Sequence, residues 1–210
     1  VLPWLLHDPN AGYFYIFFDD NQRVYRDRGP IPIAQAPYRL DENCRNTRCI
    51  AGVVNQFYTG MGQYKPKVLG PQGQPVEIAV LTDYREEKDQ LRRLLHRLFV
   101  DNGFSYDQVA LLSARGTQTS NILGQHLGNV QLTNQLPLSS NEVFATTIRR
   151  FKGLERTVIV LCEIDEYISQ EDIDALMYIG TSRAKAYLIV MLGPKTPEGV
   201  LEALKPYIRQ

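Results

Sequence analysis

The stretch from Thr147 to Cys162, TIRRFKGLERTVIVLC, constrains the fold more than any other. Thr157 to Leu161 is an unbroken apolar run. A run of that kind is the pattern of a strand buried on both faces, which needs cover above and below. Phe144 to Ile148 is aromatic and β-branched and reads as a second strand. Between them lies a basic turn, Arg149 to Gly153, closed by a glycine. Such a turn places backbone N–H groups and cations at a sheet edge, a common place for phosphate. Glu155 follows at once. Cations facing phosphates, and a carboxylate accepting from a ribose hydroxyl, would together suit a nucleotide. Taken alone, the stretch is equally well read as a surface turn with solvated charges.

The rest of the chain sets this stretch in an alternating pattern. Val1 to Pro9 reads as the end of a helix, and Tyr13 to Phe18 as a strand broken by Asp19-Asp20-Asn21. Gly29 to Pro37 holds three prolines and reads as a linker. Asn43 is expected to cap a helix over Thr47 to Tyr58, whose Ile50, Val53, Val54 and Phe57 share a face. Thr59 to Pro75 reads as an exposed loop. Val76 to Thr82 reads as a strand, Arg85 to Val100 as a helix with a leucine stripe, and Val109 to Ser113 as a strand. A short helix is expected over Asn121 to Leu127. Ile173 to Ile179 reads as a helix, Tyr187 to Leu192 as the last strand and Glu198 to Ile208 as a closing helix. Strands alternating with helices predict an α/β fold with a parallel sheet.

Four segments carry a resemblance. Phe18 to Tyr25 reads FDDNQRVY, Leu40 to Ile50 LDENCRNTRCI, Thr147 to Glu155 TIRRFKGLE, and Tyr178 to Lys185 YIGTSRAK. In this order they resemble motifs III, IV, V and VI of the UvrD/Rep/PcrA-like superfamily 1 DNA helicases. The similarity is greatest to the compact members that lack the large extra subdomain between motifs IV and V. The sequence contains no G-x-x-x-x-G-K-[ST] phosphate loop and no D-E-x-x-D box, both of which lie upstream of motif III in that family. The resemblance therefore implies the C-terminal half of a helicase motor. Residues 1–37 would be a remnant of the first motor domain with its linker. Residues 38–210 would be a RecA-like second motor domain, a parallel sheet with flanking helices.

By resemblance, Gln22 senses the γ-phosphate and its attacking water, and Arg45 contacts the γ-phosphate. Gly153 and Glu155 belong to the nucleotide site. Arg183 is the arginine finger, a fixed cation aimed at charge that develops during phosphoryl transfer. Thr147 and Arg149 match positions that hold the DNA backbone. The implied ligand is ATP with Mg²⁺, bound between two motor domains. The implied partners are single-stranded DNA and the missing N-terminal motor domain, and the implied direction is 3′ to 5′. The sequence departs from the family at three places. Asp27 stands where an aromatic stacks on a base, and Cys44 where a tyrosine stacks on adenine. Asp172, Asp174 and Ala175 precede the motif VI tyrosine in place of arginines.

Composition excludes several classes. Lysines and arginines number 23 and acids 23, so no global field draws in nucleic acid. Binding must come from local clusters such as Arg23/Arg26/Arg28 and Arg149/Arg150/Lys152/Arg156, against a solvated acidic run from Glu163 to Asp174. Cys44, Cys49 and Cys162 lack metal-ligand spacing and suit a reducing compartment, the cytoplasm. No apolar run approaches the ~20 residues of a membrane span. Two rival readings remain open. One is a non-catalytic nucleic-acid-binding or regulatory helicase-like module. The other is an unrelated nucleotide-binding α/β protein that uses the K-G-L-E turn alone, with Gln22, Arg45 and Arg183 scattered.

Overall fold

The computed structural model describes residues 15–22, 38, 40–59, 65–169 and 172–208. The helix end at Val1 to Pro9, the start of the Tyr13 to Phe18 strand, the cluster at Arg23 to Arg28, Asp27 and the linker at Gly29 to Pro37 lie outside the described residues.

A seven-stranded sheet carries the fold. Its strands are β3 (Glu77–Val80), β4 (Val109–Ser113), β5 (His126–Leu127), β6 (Val130–Thr133), β7 (Glu142–Thr147), β8 (Arg156–Ile164) and β9 (Ala184–Leu192). They lie in the order β3-β9-β8-β4-β7-β6-β5, and every neighbouring pair is parallel except the β5–β6 hairpin. A smaller parallel ladder joins β1 (Glu42–Asn43) to β2 (Lys67–Val68). The helices are α1 (Arg48–Val54), α2 (Glu86–His96), α3 (Ile173–Thr181) and α4 (Glu198–Leu204). This is the α/β architecture, with helices flanking a mostly parallel sheet.

The interior strand β8 shows how the sequence builds two cores. Side chains alternate across a strand, so Ile159 and Leu161 enter one apolar cluster while Val158, Val160 and Cys162 enter the other. The first cluster takes Ile50 and Val53 of α1, Leu176 of α3 and Val200 of α4. The second takes the stripe Leu91, Leu94 and Leu95 of α2, and Leu98 just beyond it. The alternation breaks at Glu163, where the register with β9 shifts and φ is 57°. The bulge adds one residue, so Ile164 returns to the first cluster.

Several local expectations change. α1 is shorter than Thr47 to Tyr58, and its cap is Thr47, whose hydroxyl accepts from Ile50 N. Asn43 instead accepts from the N–H groups of Arg45 and Asn46, closing an Asx turn one step earlier. α2 ends at His96 and runs on through a π turn, Arg97–Asp101. Asn121 to Leu127 is not a helix. The Glu163 carboxylate takes Asn121 N, and Ser120 Oγ takes the N–H groups of Ile122 and Leu123, so side chains outcompete helical carbonyls. Tyr15 to Phe18 enters no ladder, and Phe17 is 82% exposed.

Candidate nucleotide site

The site forms where β8 and β9 begin. Arg156 and Ala184 are register partners there, so Glu155 and Arg183, each one residue upstream, arrive side by side. The link is direct, since Arg156 N donates to Arg183 O at 3.2 Å. Arg45 comes from the loop between β1 and α1. Its Nε donates to Glu155 Oε2 at 2.9 Å, and Lys185 Nζ meets Glu155 Oε1 at 3.2 Å. The Lys185 bond and the two positive charges hold the Glu155 carboxyl below its usual range. Glu155 therefore sits in the structure as a bridge between two cations.

Arg183 differs from its neighbours. It is 2% exposed, yet among the described residues no carboxylate pairs with it. Its Nε donates to Ile179 O at 3.1 Å and its Nη2 to Ser182 Oγ at 3.0 Å. Burial, followed by the charge of Arg45, lowers its pKa. A desolvated cation beside a second cation has an unmet demand for an anion.

The turn carrying Gln22 docks on the same side. Gln22 Nε2 donates to Asp19 Oδ2 at 2.9 Å, and Tyr178 Oη donates to the same oxygen at 3.2 Å. Lys152 Nζ donates to Gln22 O at 2.9 Å. Asn21 Oδ1 accepts from Thr59 N at 2.9 Å. Residues from all four sequence segments thus meet at one end of the sheet. The roles of Asp19, Tyr178 and Lys185 were not assigned from sequence, although all three lie inside the matched segments.

Gly153, with φ of 89°, closes the connection between β7 and β8. A Cβ added there would meet nothing within 4 Å, so backbone conformation rather than close approach calls for glycine. Thr147 and Arg149 lie elsewhere. Thr147 is in register with Ser113, which is in register with Cys162, at the finishing ends of the strands. Six residue steps along β8 from Arg156 to Cys162 make that ~20 Å from the site. The Thr147 hydroxyl accepts from Arg150 N, and Arg149 Nη2 donates to Asp172 Oδ2 at 2.7 Å. The basic cluster in this turn is dispersed: Arg149 meets Asp172, Lys152 meets Gln22 O, and Arg156 Nη1 donates to Glu155 O.

A second polar cluster, at the finishing ends of β4 and β8, was not foreseen. Glu163 and Asp165 are each 1% exposed, not solvated as the acidic run suggested. Arg115 Nη2 meets Asp165 Oδ2 at 2.6 Å, and Glu163 accepts from Ser113 Oγ, Ser120 Oγ and Asn121 N at 2.5, 2.5 and 2.6 Å. Glu87 Oε1 accepts from Glu163 N at 2.8 Å. Burial, more than the nearby acids, raises the Glu87 carboxyl to about 7. The Arg115 guanidinium lies 4.4 Å over the exposed Tyr167 ring.

No protein-family model matches the chain, and no curated protein matches it. The fold is similar to the crystal structure of the C-terminal domain of a possible DNA helicase from Lactobacillus plantarum WCFS1. The TM-score is 0.59 at 18% identity, over 75% of this chain and 91% of that one. The likeness is one of fold. Among the described residues no helix is long and apolar enough to cross a membrane.

Proposed function

We propose that the chain is the C-terminal half of an ATP-dependent DNA helicase or translocase of the UvrD/Rep/PcrA-like kind, moving 3′ to 5′. ATP binds between this domain and a first motor domain that carries the phosphate loop. Arg183 and Arg45 face the γ-phosphate, Gln22 orients the attacking water, and Glu155 is the carboxylate nearest the ribose. The observation that carries this reading is Arg183, buried with no carboxylate partner among the described residues and set beside Arg45 and Glu155. An unrelated protein using the turn alone would have no reason to gather these side chains with the docked Asp19–Gln22 turn. The fold likeness to a domain named for a possible DNA helicase agrees with the reading.

Arg45 and Arg183 would suit phosphate oxygens. The described residues contain no group of three or more acidic, histidine or cysteine side chains placed to hold an ion. Mg²⁺ would be held by the phosphates and by the first motor domain, and it would supply charge neutralisation there. Thr147 and Arg149, at the far end of the sheet, are the proposed contacts for single-stranded DNA. Closing the cleft around ATP would then move the DNA-facing end relative to the first domain.

Steady-state ATPase on three samples tests this: the 210-residue chain, the full-length protein, and the full-length protein with Arg183→Ala. The chain alone is expected to be inactive. The variant is expected to lose about 10³–10⁵ in turnover, as for an arginine finger, with nucleotide binding largely kept. DNA-stimulated turnover by the chain alone, or wild-type turnover in the variant, would overturn the reading.

A further inference from the structure

The two arginines of the site come from loops more than a hundred residues apart in sequence, and both carry positive charge. Something must hold them together before any anion arrives. Arg45 lowers the pKa of Arg183, so their charges are felt across the site. Glu155 neutralises Arg45 but makes no ion pair with Arg183.

We propose that Asn46 is the positioning residue that sets Arg183 against Arg45, by clamping the backbone on both sides of Arg183. This rests on the reading of Arg183 and Arg45 as phosphate-facing cations. Asn46 is 3% exposed. Its Nδ2 donates to Ser182 O at 3.2 Å and to Ala184 O at 2.7 Å, the carbonyls flanking Arg183. Both protons of that amide are thereby used. Its Oδ1 accepts from Asn43 Nδ2 at 3.0 Å, which orients the amide so that nitrogen faces the carbonyls. Asn43 Oδ1 in turn accepts from the N–H groups of Arg45 and Asn46, each at 3.1 Å. One network of two asparagines therefore ties the backbone of Arg45 to the backbone around Arg183.

The surroundings admit little slack. Arg183 O, the one carbonyl of the three that Asn46 does not take, accepts from Arg156 N. Gly70 lies so close behind that a Cβ there would stand 2.1 Å from Asn46 O. Every polar atom of the Asn46 side chain is satisfied and shielded from water. A buried, fully satisfied amide holds one arrangement, whereas an exposed one would exchange its partners with solvent. Without it, Ser182 O and Ala184 O lose a shared donor, and the Arg183 side chain is free to turn away from Arg45. A shift of about 1 Å at a catalytic group costs on the order of 10²-fold in rate.

A double-mutant cycle on the full-length protein tests the proposal. Asn46→Ala is measured for DNA-stimulated ATPase in the wild-type background and in the Arg183→Ala background. Asn46→Ala is expected to lower kcat by about 10²-fold with KM nearly unchanged. In the Arg183→Ala background the same change is expected to have no further effect on kcat, because its action runs through Arg183. If Asn46→Ala does not fold, Asn46→Ser, which keeps one donor, is put through the same cycle with an intermediate loss expected. Equal losses in both backgrounds would make Asn46 a structural residue, and an unchanged kcat in the wild-type background would remove it from the site. Either result overturns the proposal while leaving Arg183 in its role. Loss of the Arg183→Ala effect itself would overturn the functional reading beneath it.

Discussion

The two ends of the central sheet use charge in opposite ways. Where β8 and β9 begin, the Arg45–Glu155 pair is 44% and 41% exposed, and the buried Arg183 has no carboxylate partner among the described residues. Where β4 and β8 finish, Arg115 and Asp165 are 8% and 1% exposed, and hydroxyls and N–H groups saturate the neighbouring Glu163. The first end is open and short of anions. The second is closed and rich in them. A half-exposed ion pair contributes little to stability, whereas removing one partner of a buried, fully paired network is costly. Two buried arginines of one sheet thus differ in whether a carboxylate meets them among the described residues.

The largest effect expected from this contrast lies in two arginines of similar burial. Arg115→Ala leaves Asp165 buried and unpaired, and is expected to cost about 3–5 kcal/mol of stability. Arg183→Ala removes a cation that is paying desolvation, and forfeits two hydrogen bonds, so its cost is expected to be on the order of 1 kcal/mol. Urea unfolding of both variants of the 210-residue chain compares them. Equal losses would erase the distinction between the two ends.

Next in size is a pH effect confined to the closed end. Glu87 faces Glu163, Asp165 and Arg115, and keeps its proton up to about pH 7 when folded against 4.5 for the free side chain. The unfolded chain releases that proton first as pH rises. The stability tied to Glu87 is therefore fullest below pH 4.5 and is lost between 4.5 and about 7, by up to about 3 kcal/mol. Glu87→Gln, neutral throughout, is expected to flatten this part of the curve. Unfolding free energies at several pH values from 4.5 to 8 would show it. An unchanged slope in the variant would place the titration elsewhere.

The smallest effect is expected at the open end. Glu155→Gln removes a half-exposed partner of Arg45 and Lys185, and is expected to change stability by less than about 1 kcal/mol. Thermal melting of the 210-residue chain measures it. A loss approaching that of Arg115→Ala would mean that the open edge is structural after all.

Much of the fold was legible in sequence because burial writes itself into periodicity. The run Thr157 to Leu161 and the leucines of Arg85 to Val100 became β8 and α2, since an apolar stripe has one way to leave water. The turn at Gly153 and the neighbouring Arg45, Glu155 and Arg183 lie in short segments with characteristic residues. The expected helix over Asn121 to Leu127 failed because acceptors from Glu163 and Ser120, invisible to local propensity, took its N–H groups.

Sequence by itself determined the α/β class and the main strands and helices. Only the tertiary structure decided how they are partnered. Strand order places Ala184 beside Arg156 and so brings Arg183 to Glu155. It seals Glu163 and Asp165, which read as solvated, against Arg115. It leaves Arg183 without a carboxylate partner among the described residues and gives Asn46 its two carbonyls. Burial and pairing depend on contacts between residues distant in the chain, and no local pattern encodes the dielectric that those contacts create.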